Sequence, residues 1–501
     1  MAANFHRQMP RAAGILLHPS SLPGDYGNGD LGQGAYAFID WLVTAKASLW
    51  QILPLVPTDD NGSPYSSWSA LAGNPDLIDI AGLVKLGLLE PAEIAAFDLP
   101  TAANTNCNDI RRARQPLLDK AVARFLADQK SDFYKNFCDF VNHSAWVQDT
   151  ALFCALKQIY QSAWWDWPED LRDRQTEALA KARQELSNSI DAAMALQFLF
   201  EHQWQSLRRY ANERGIKIVG DIPIYVAADS ADVWANRELF ELNKEGTPIR
   251  VAGVPPDAFS DTGQRWGNPL YRWDKMATDG YSWWRMRVAR SLELTDWVRI
   301  DHFRGLAAYW AIPESSPDAR QGDWLIGPGE ALFVALREVA PDLPIIAEDL
   351  GEIDDSVRSF LKSLGLPGML VLHFAFGSDA KNLYLPHNHT TNSVVYTGTH
   401  DNDTTLGFWQ STSEHSRDHI RHYFGVDGHD IVWDLIRAAL ASVARFAVIP
   451  MQDVLQLGHE ARMNTPGVIS GNWQWRMDSQ ALQPYIAERF ALLVELYNRI
   501  S

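Results

Sequence analysis

Cysteine is scarce in this chain, with three residues among 501, and none of them stands in a Cys-x-x-Cys pair. The scattered Cys107, Cys138 and Cys154 provide neither the framework of a disulfide-stapled fold nor the paired ligands of a zinc ribbon. Because disulfide-poor chains are typical of reducing compartments, we expect a cytoplasmic protein.

Positive charge is also in deficit, since 44 Lys and Arg residues stand against 62 Asp and Glu residues, for a formal net charge of −18. A surface with that balance repels phosphate backbones and anionic lipid headgroups. We therefore expect neither nucleic acid nor a membrane surface as a partner.

Long apolar runs are missing as well. Residues 1–11 contain no apolar segment before a cleavage site. The most apolar late stretch, 435–450, is interrupted by Arg437 and Arg445, whereas a membrane-spanning helix needs about 20 predominantly apolar residues. We predict neither a signal peptide nor a membrane span, and the 46% hydrophobic and 21% charged residues are typical of a globular protein.

Tryptophan, in contrast, is abundant, with 20 residues within an aromatic fraction of 11%. Such a surplus fits an aromatic core. It fits sugar binding equally well, because the flat indole face packs against the apolar C–H face of a pyranose ring. Composition leaves both interpretations open.

Eight short apolar runs, which end in polar or glycine-rich residues, predict buried parallel strands. They are 14–18, 49–53, 216–221, 297–301, 344–348, 369–374, 394–400 and 446–451. Helical patterns separate most of these runs, and this alternation is typical of an α/β fold of the (β/α)₈ TIM-barrel type. The alternative, a doubly wound open sheet, would need a nucleotide crevice.

The spacing of the runs is uneven and predicts insertions into a single catalytic barrel that spans residues 1–501. Charged helical patterns fill much of the connection between the second and third runs, and we expect a mainly helical insertion over 76–191. The connection 236–271 is rich in Gly, Pro and Asp and has no clear periodicity. Long connections of this kind are usually functional, so we predict an ordered lid over the active site.

Three of the runs end in, or are followed by, a carboxylate: Asp301, Glu348 and Asp401. The C-terminal strand ends of a barrel all point to one face, where active sites form. A single acid at such a position is most simply a helix N-cap. Three converging acids favour catalysis, because like charges that are buried together destabilise the fold.

Retaining glycosyl transfer requires such acids, since one carboxylate attacks the sugar and a second, about 5–5.5 Å away, acts as acid and base. Arg299 stands two residues before Asp301, hence on the same strand face, where its charge would keep Asp301 ionised. Glu348 follows the apolar residues 344–347, a setting that raises a carboxyl pKa. The pattern assigns Asp301 as nucleophile and Glu348 as acid/base.

Motifs along the whole chain resemble those of the 4-α-glucanotransferases, also called amylomaltases or disproportionating enzymes, of glycoside hydrolase family 77 in the α-amylase clan. The clan's four signature regions correspond to VGDIPIYVAADSADVWAN, VRIDHFRGL, AEDLG and TGTHDND. Five further segments resemble the family itself: GILLHPSSLPG, GNGDLG, SPYSSWSALAGNP, GVPPDAFSDTGQRWGNPLY and RMNTPGVISGNWQWR. The resemblance implies a barrel that transfers α-1,4-glucan segments.

The resemblance also implies residue roles. Asp301 matches the family nucleophile, Glu348 the acid/base, and Asp401 the third carboxylate, which binds sugar hydroxyls and stabilises the transition state. The segment 253–271 matches a loop that covers the acceptor side. Candidate substrate-binding residues are Tyr65, Asp221, Arg299, His400, Asn472, Ser63, Asp257, Phe259, Gln264 and Trp266.

Two patterns that could indicate a cofactor are set aside. Residues 27–32 satisfy G-x-G-x-x-G, but 19–26 separate them from the preceding strand and no acid follows about 20 residues later. His387 and His389, with His373 upstream, lack a Cys or acid that would complete a zinc site, and we interpret the pair as surface histidines beside a proline turn. We expect no cofactor and no metal.

The sequence therefore predicts an enzyme that transfers a maltodextrin segment to the 4-OH of another maltodextrin, or of glucose, through a covalent glycosyl-enzyme. The expected partners are maltodextrins and other α-1,4-glucans, with glucose as an acceptor, and the expected state is a monomer or weak homo-oligomer. Two alternatives are an α-1,4-glucan hydrolase that uses the same acids and a catalytically inactive glucan-binding protein. The intact acids at three strand ends argue against the second.

Overall fold

The computed structural model describes residues 9–95, 97, 106–256, 260–351 and 354–500. Strands within these ranges are short. They are β1 Ala12–Leu16, β2 Leu49–Gln51, β3 Lys217–Ile222, β4 Arg250–Val254, β5 Gln264–Pro269, β6 Trp297–Ile300, β7 Ala308–Pro313, β8 Asp323–Ile326, β9 Ile345–Ala347, β10 Gly368–Val371, β11 Ser393–Tyr396 and β12 Phe446–Pro450.

The α-helices vary widely in length. They are α1 Gln33–Thr44, α2 Ile80–Lys85, α3 Pro91–Ile94, α4 Cys107–Ala127, α5 Asp132–His143, α6 Ala145–Tyr160, α7 Glu169–Arg172, α8 Thr176–Glu185, α9 Ser187–Glu213, α10 Ala231–Ala235, α11 Trp273–Thr278, α12 Ser282–Leu294, α13 Glu330–Leu336, α14 Asp355–Leu364, α15 Thr405–Ser411, α16 Glu414–Phe424, α17 Ile431–Ala441, α18 Met451–Val454 and α19 Pro484–Leu496. None of these helices combines the length and apolar character that a membrane crossing requires.

Eight parallel strands form the central sheet, in the order β10-β11-β12-β1-β2-β3-β6-β9. At its seam the N–H of Ala347, in β9, donates to the carbonyl of Pro367, just before β10, over 2.9 Å, so the sheet is nearly closed. The apolar β-branched residues of these strands are buried on both faces, as parallel strands require. The predicted (β/α)₈ barrel is confirmed, and each of the eight predicted runs overlaps a barrel strand.

Several predicted runs extend past the end of their strand, and 394–400 does so furthest. The strand β11 stops at Tyr396, and Asp401 lies in the loop beyond it rather than at the strand end. The chain leaves the regular sheet at Thr397, whose hydroxyl donates to Asp453. Gly398 then passes so close to His373 that an added Cβ would lie 2.7 Å from its ring.

Helices α2 to α9 all lie between β2 and β3. The side-chain amide of Gln197, in α9, accepts from the N–H of Gly73 over 2.7 Å and donates to its carbonyl over 3.0 Å. Gly73 lies at the end of the loop that follows β2. The long helix thereby fixes the segment that carries Ser63 and Tyr65.

A second, antiparallel sheet has the order β5-β4-β7-β8. Its strands β4 and β5 lie inside the connection 236–271, for which the sequence analysis finds no periodicity. Glycine explains the difference, because a Cβ at Gly253 would lie 2.1 Å from the Gln264 carbonyl oxygen, so the close pairing needs a residue that also breaks the apolar alternation. Its strand β7 follows β6 through the short 3₁₀ helix Phe303–Leu306, and Trp266 in β5 contacts His302 just after β6.

Burial resolves the question that the tryptophan content leaves open. Twelve of the 20 tryptophans are buried, so most of the surplus belongs to the core. They are Trp41, Trp50, Trp164, Trp167, Trp204, Trp234, Trp273, Trp283, Trp284, Trp297, Trp433 and Trp475.

The interpretation of the H-x-H pair as surface histidines is wrong for His389. That side chain is buried and bonds the Ser442 hydroxyl and the Tyr384 carbonyl. His387 is exposed and contacts Tyr423. The proline turn therefore folds one histidine inward, where it ties the turn to the segment before β12.

Candidate active site

Acidic side chains gather at the C-terminal edge of three adjacent strands. Asp221 lies near the end of β3, Asp301 follows β6 directly, and Glu348 follows β9 directly. The register pairs Ile300 with Ala347, so Asp301 and Glu348 leave the sheet side by side. The sheet, and not a flexible loop, sets the positions of these two carboxylates.

The helix-cap explanation does not apply to these acids. The first turn of α14 is capped by Asp354 and that of α15 by Thr404. The short 3₁₀ helix after β6 begins at His302 without a side-chain cap. Among the described residues, Asp301, Glu348 and Asp401 cap no helix and are available for other chemistry.

Arg299 links two of the carboxylates. Its Nη1 lies 2.7 Å from Asp221 Oδ2, and its Nη2 lies 2.8 Å from Asp301 Oδ1, the contact that the two-residue spacing predicts. The guanidinium is 3% exposed. Although burial opposes it, the charges of Asp221 and Asp301 raise the pKa of Arg299 well above its usual value, so the cation is permanent.

The pKa values of the two strand-end acids are raised to different extents. Burial and the negative charge of Asp301 raise the pKa of Glu348 to about 8, although its oxygens accept from the N–H groups of Leu350 and His302 over 2.9 and 2.7 Å. Burial raises the pKa of Asp301 to about 6, and Arg299 opposes that rise. Glu348 therefore keeps its proton to a higher pH than Asp301 does.

The rings of Tyr65, His400 and Trp473 form an aromatic wall beside these acids. The Tyr65 hydroxyl donates to Asp221 Oδ2 over 2.5 Å, and its ring stacks on that of His400 with centroids 5.3 Å apart and planes 7° apart. The centroid of the Trp473 ring lies within 6.0 Å of the centroids of both rings. The Ser63 hydroxyl accepts from the N–H of Tyr65 and so sets the turn that presents the tyrosine.

Asp401 is held by residues that the sequence analysis does not single out. Asn464 Nδ2 donates to Asp401 Oδ1 over 2.6 Å, and Arg462 Nη2 donates to the Asp401 carbonyl over 2.7 Å. His400 Nε2 lies 3.4 Å from the same Oδ1. Both missed residues belong to the segment RMNTPG, next to the predicted Asn472, so the motif could have indicated them.

Asn472 uses its amide inside its own loop. Its Oδ1 accepts from the N–H of Thr465 over 2.9 Å, and its Nδ2 donates to the Val468 carbonyl over 2.7 Å. These bonds close the turn 465–472 beside Trp473. The side chain is placed to order this rim of the site.

On the other side, Trp266 borders the acid Glu348. Its ring meets that of His302 edge to face, with centroids 4.8 Å apart, and the His302 N–H is the group that bonds Glu348. Gln264 Oε1 accepts from the Trp266 indole N–H over 3.1 Å. Asp257 and Phe259 lie outside the described residues.

No group of three or more His, Cys, Asp or Glu side chains within the described ranges could hold a metal ion. The site consists of two adjacent, partly buried carboxyls with unequally raised pKa values, a buried cation and an aromatic wall, at the C-terminal mouth of a (β/α)₈ barrel. This combination is typical of a glycoside-active barrel enzyme.

Comparisons identify the family. Residues 17–482 match the model of Glyco_hydro_77, described as 4-alpha-glucanotransferase, and the chain belongs to this family. It is 49% identical to the 4-alpha-glucanotransferase, chloroplastic/amyloplastic, of Solanum tuberosum, over 94% of this chain and 82% of that protein. It is 45% identical to the 4-alpha-glucanotransferase of Thermus thermophilus, over 98% of this chain and 100% of that protein.

A solved structure agrees with this assignment. The amylomaltase from Streptococcus agalactiae in complex with acarbose superposes with a TM-score of 0.94 at 38% identity, covering 98% of this chain and 99% of that one. The chain is therefore an enzyme of the 4-α-glucanotransferase type.

Proposed function

We propose that this enzyme moves α-1,4-glucan segments from a maltodextrin donor to the 4-OH of a second maltodextrin, or of glucose, with Asp301 as nucleophile and Glu348 as acid/base. One observation carries this assignment: the two carboxyls leave paired residues of β6 and β9, and their pKa values, about 6 and about 8, leave one ionised and the other protonated at the same pH. Retaining glycosyl transfer needs these two states together.

In the first half-reaction Glu348 gives its proton to the glycosidic oxygen. The Asp301 carboxylate forms a bond to the anomeric carbon as the bond from that carbon to the leaving sugar breaks. In the second half, ionised Glu348 takes the proton of the acceptor 4-OH, the oxygen attacks the anomeric carbon, and Asp301 departs. The bond formed and the bond broken are both α-1,4-glycosidic bonds, so the reaction requires neither a cofactor nor an energy source.

The surrounding residues have supporting roles in this proposal. Arg299, fixed by Asp221, holds Asp301 ionised and aimed at the anomeric carbon. Asp401, oriented by Asn464, binds sugar hydroxyls and favours the distorted ring of the transition state. The stacked rings of Tyr65 and His400 form the wall against which the sugar packs.

We assign the acceptor side to Gln264 and Trp266, together with Asp257 and Phe259. Trp266 is 37% exposed and touches His302, whose N–H bonds Glu348, so a sugar stacked on this indole lies next to the acid/base. On the other rim Ser63 and Asn472 order the loops that shape the donor side. A positioned acceptor hydroxyl can then compete with water.

Incubation with maltotriose alone tests the proposal. Transfer predicts glucose together with maltodextrins longer than maltotriose, separated by chromatography. The hydrolase alternative predicts glucose and maltose with no longer product, and a glucan-binding protein predicts no change. The Asp301→Asn variant serves as the inactive control.

We further propose that the enzyme works in the cytoplasm as a monomer or weak homo-oligomer. The three cysteines are free thiols, which suits a reducing compartment. Light scattering at several protein concentrations tests the oligomeric state.

A further inference from the structure

The loop that carries His400 and Asp401 starts at Thr397, directly after β11, and leads into α15 at Thr405. It stands at the mouth of the barrel, and no sheet hydrogen bonds hold residues 398–404. His400 and Asp401 must nevertheless keep fixed positions, His400 against Tyr65 and Asp401 against Asn464. Something outside the loop has to fix its ends.

A single carboxylate bonds both ends. Asp453, in α18 directly after β12, accepts from the Thr397 hydroxyl over 2.5 Å at Oδ2. The Thr405 hydroxyl donates to the same Oδ2 over 2.7 Å, and the Thr405 N–H donates to Oδ1 over 2.7 Å. Asp453, Thr397 and Thr405 are at most 1% exposed, so water does not compete for these bonds.

A second layer extends this arrangement. His373 Nε2 lies 3.0 Å from the Thr405 hydroxyl oxygen, and its ring stacks on Phe408 with centroids 4.4 Å apart. Burial lowers the pKa of His373 to about 3, so the ring is neutral. The neutral imidazole can donate to the Thr405 oxygen, which leaves the Thr405 hydroxyl proton for Asp453.

Burial raises the pKa of Asp453, and the hydrogen bonds from Thr397 and Thr405, rather than a cation, oppose this rise. A buried carboxylate without a cationic partner is expensive to maintain. An apolar residue of similar size would fill the space but could not bond the two threonines. The bonds therefore serve to define the conformation of the loop. Removing an acceptor here leaves buried hydroxyl protons unsatisfied at both ends of the loop.

We propose that Asp453 is a positioning residue for glycosyl transfer, which holds His400 and Asp401 at the barrel mouth by bonding both ends of their loop. It touches no substrate and acts through Asp401. The inference rests on the role proposed for Asp401 above.

The first test is Asp453→Asn, which keeps the shape of the side chain but loses the charged acceptor. We expect kcat for maltotriose disproportionation to fall by about 10- to 100-fold, with a KM change of at most about 3-fold, because Asp401 acts in the transition state. The matched control is Asp296→Asn. Asp296 directly precedes β6, at the opposite end of the barrel from the active site, and accepts hydrogen bonds from the Ile218 N–H and from the Asn212 side chain. This variant should therefore lower Tm but not kcat.

A double-mutant cycle separates positioning from a general loss of stability. With α-maltotriosyl fluoride as donor, Asp453→Asn in an Asp401→Asn background should lower kcat by no more than about 2-fold, since the residue it acts through is already disabled. If the two losses multiply, the positioning role is overturned. If Asp401→Asn alone leaves kcat unchanged, the proposed role of Asp401 fails instead.

A second pair of variants covers the case in which Asp453→Asn does not fold. Thr397→Val removes one hydroxyl from the arrangement, and Thr397→Ser keeps it. We expect the valine variant to lose about 10-fold in kcat and the serine variant to stay within about 2-fold of wild type. Equal kcat values for the two variants would overturn the proposal.

Discussion

The ring of Tyr65 lies parallel to the imidazole of His400, with 5.3 Å between their centroids and 7° between their planes. Tyr65 comes from the loop after β2 and His400 from the loop after β11, so the contact joins two distant parts of the barrel mouth. The Tyr65 hydroxyl also bonds Asp221 and, through it, the cation Arg299. One side chain thus connects the aromatic wall to the charged centre.

Replacing Tyr65 separates these two contacts. Tyr65→Phe keeps the stack but removes a hydrogen bond to a carboxylate, a type of bond worth about 1.5–3 kcal/mol, so we expect kcat/KM on maltotriose to fall by about 10- to 100-fold. Tyr65→Ala removes the stack as well, so its kcat/KM on maltotriose should be lower still. A phenylalanine variant with wild-type kcat/KM would show that the bond to Asp221 is irrelevant to the reaction.

Asp301→Asn should abolish turnover while the fold persists, because an amide is nearly isosteric with the carboxylate but cannot attack the anomeric carbon. We expect circular dichroism and Tm close to those of wild type. Trapping the wild-type enzyme with a fluorinated glucosyl donor, followed by peptide mass spectrometry, should place the label on Asp301. A label on any other residue refutes the assignment.

The pH profile should follow the two carboxyls. The nucleophile works ionised and the acid works protonated, so kcat/KM should rise through the Asp301 pKa of about 6 and fall through the Glu348 pKa of about 8. Glu348→Gln should be slow on maltodextrins but retain more activity on α-glucosyl fluoride, whose leaving group needs no proton. With that donor the variant should also lose the fall near pH 8, and equal losses on both donors would exclude Glu348 as the acid.

The ratio of transfer to hydrolysis should depend on the residues of the acceptor side. Trp266→Ala and Phe259→Ala should raise the ratio of hydrolysis to transfer more than they lower total cleavage, because a poorly held acceptor loses to water. Trp324→Ala is the control, since Trp324 is similarly exposed but lies in β8, at the far edge of the same sheet from Trp266. Free glucose and transfer products are measured in parallel on maltotriose. An unchanged ratio in the two acceptor-side variants removes these residues from acceptor selection.

Much of the barrel was predictable because its strands are buried on both faces and read as continuous apolar runs. The antiparallel sheet was not, since β4 and β5 carry Gly253, Gly263 and Gly267 in or beside them and lack a regular alternation. Strand ends were also harder than strand centres. Thr397 looks like strand sequence, yet β11 ends at Tyr396 and the Thr397 hydroxyl donates to Asp453, 56 residues later.

The sequence alone determined the fold class, the family and the identity of the acids at the strand ends, because periodicity and short motifs are local properties of the chain. The sequence also indicated the direction in which the two acids differ, but only the tertiary structure showed the contacts that cause the difference. The raised pKa of Glu348 arises from burial and from the charge of Asp301, which is brought beside it by the pairing of β6 with β9. Likewise Asn464 reaches Asp401, and Asp453 reaches Thr397 and Thr405, through space rather than along the chain. Electrostatic and hydrogen-bond energies depend on distance and burial, and neither quantity can be read from the sequence alone.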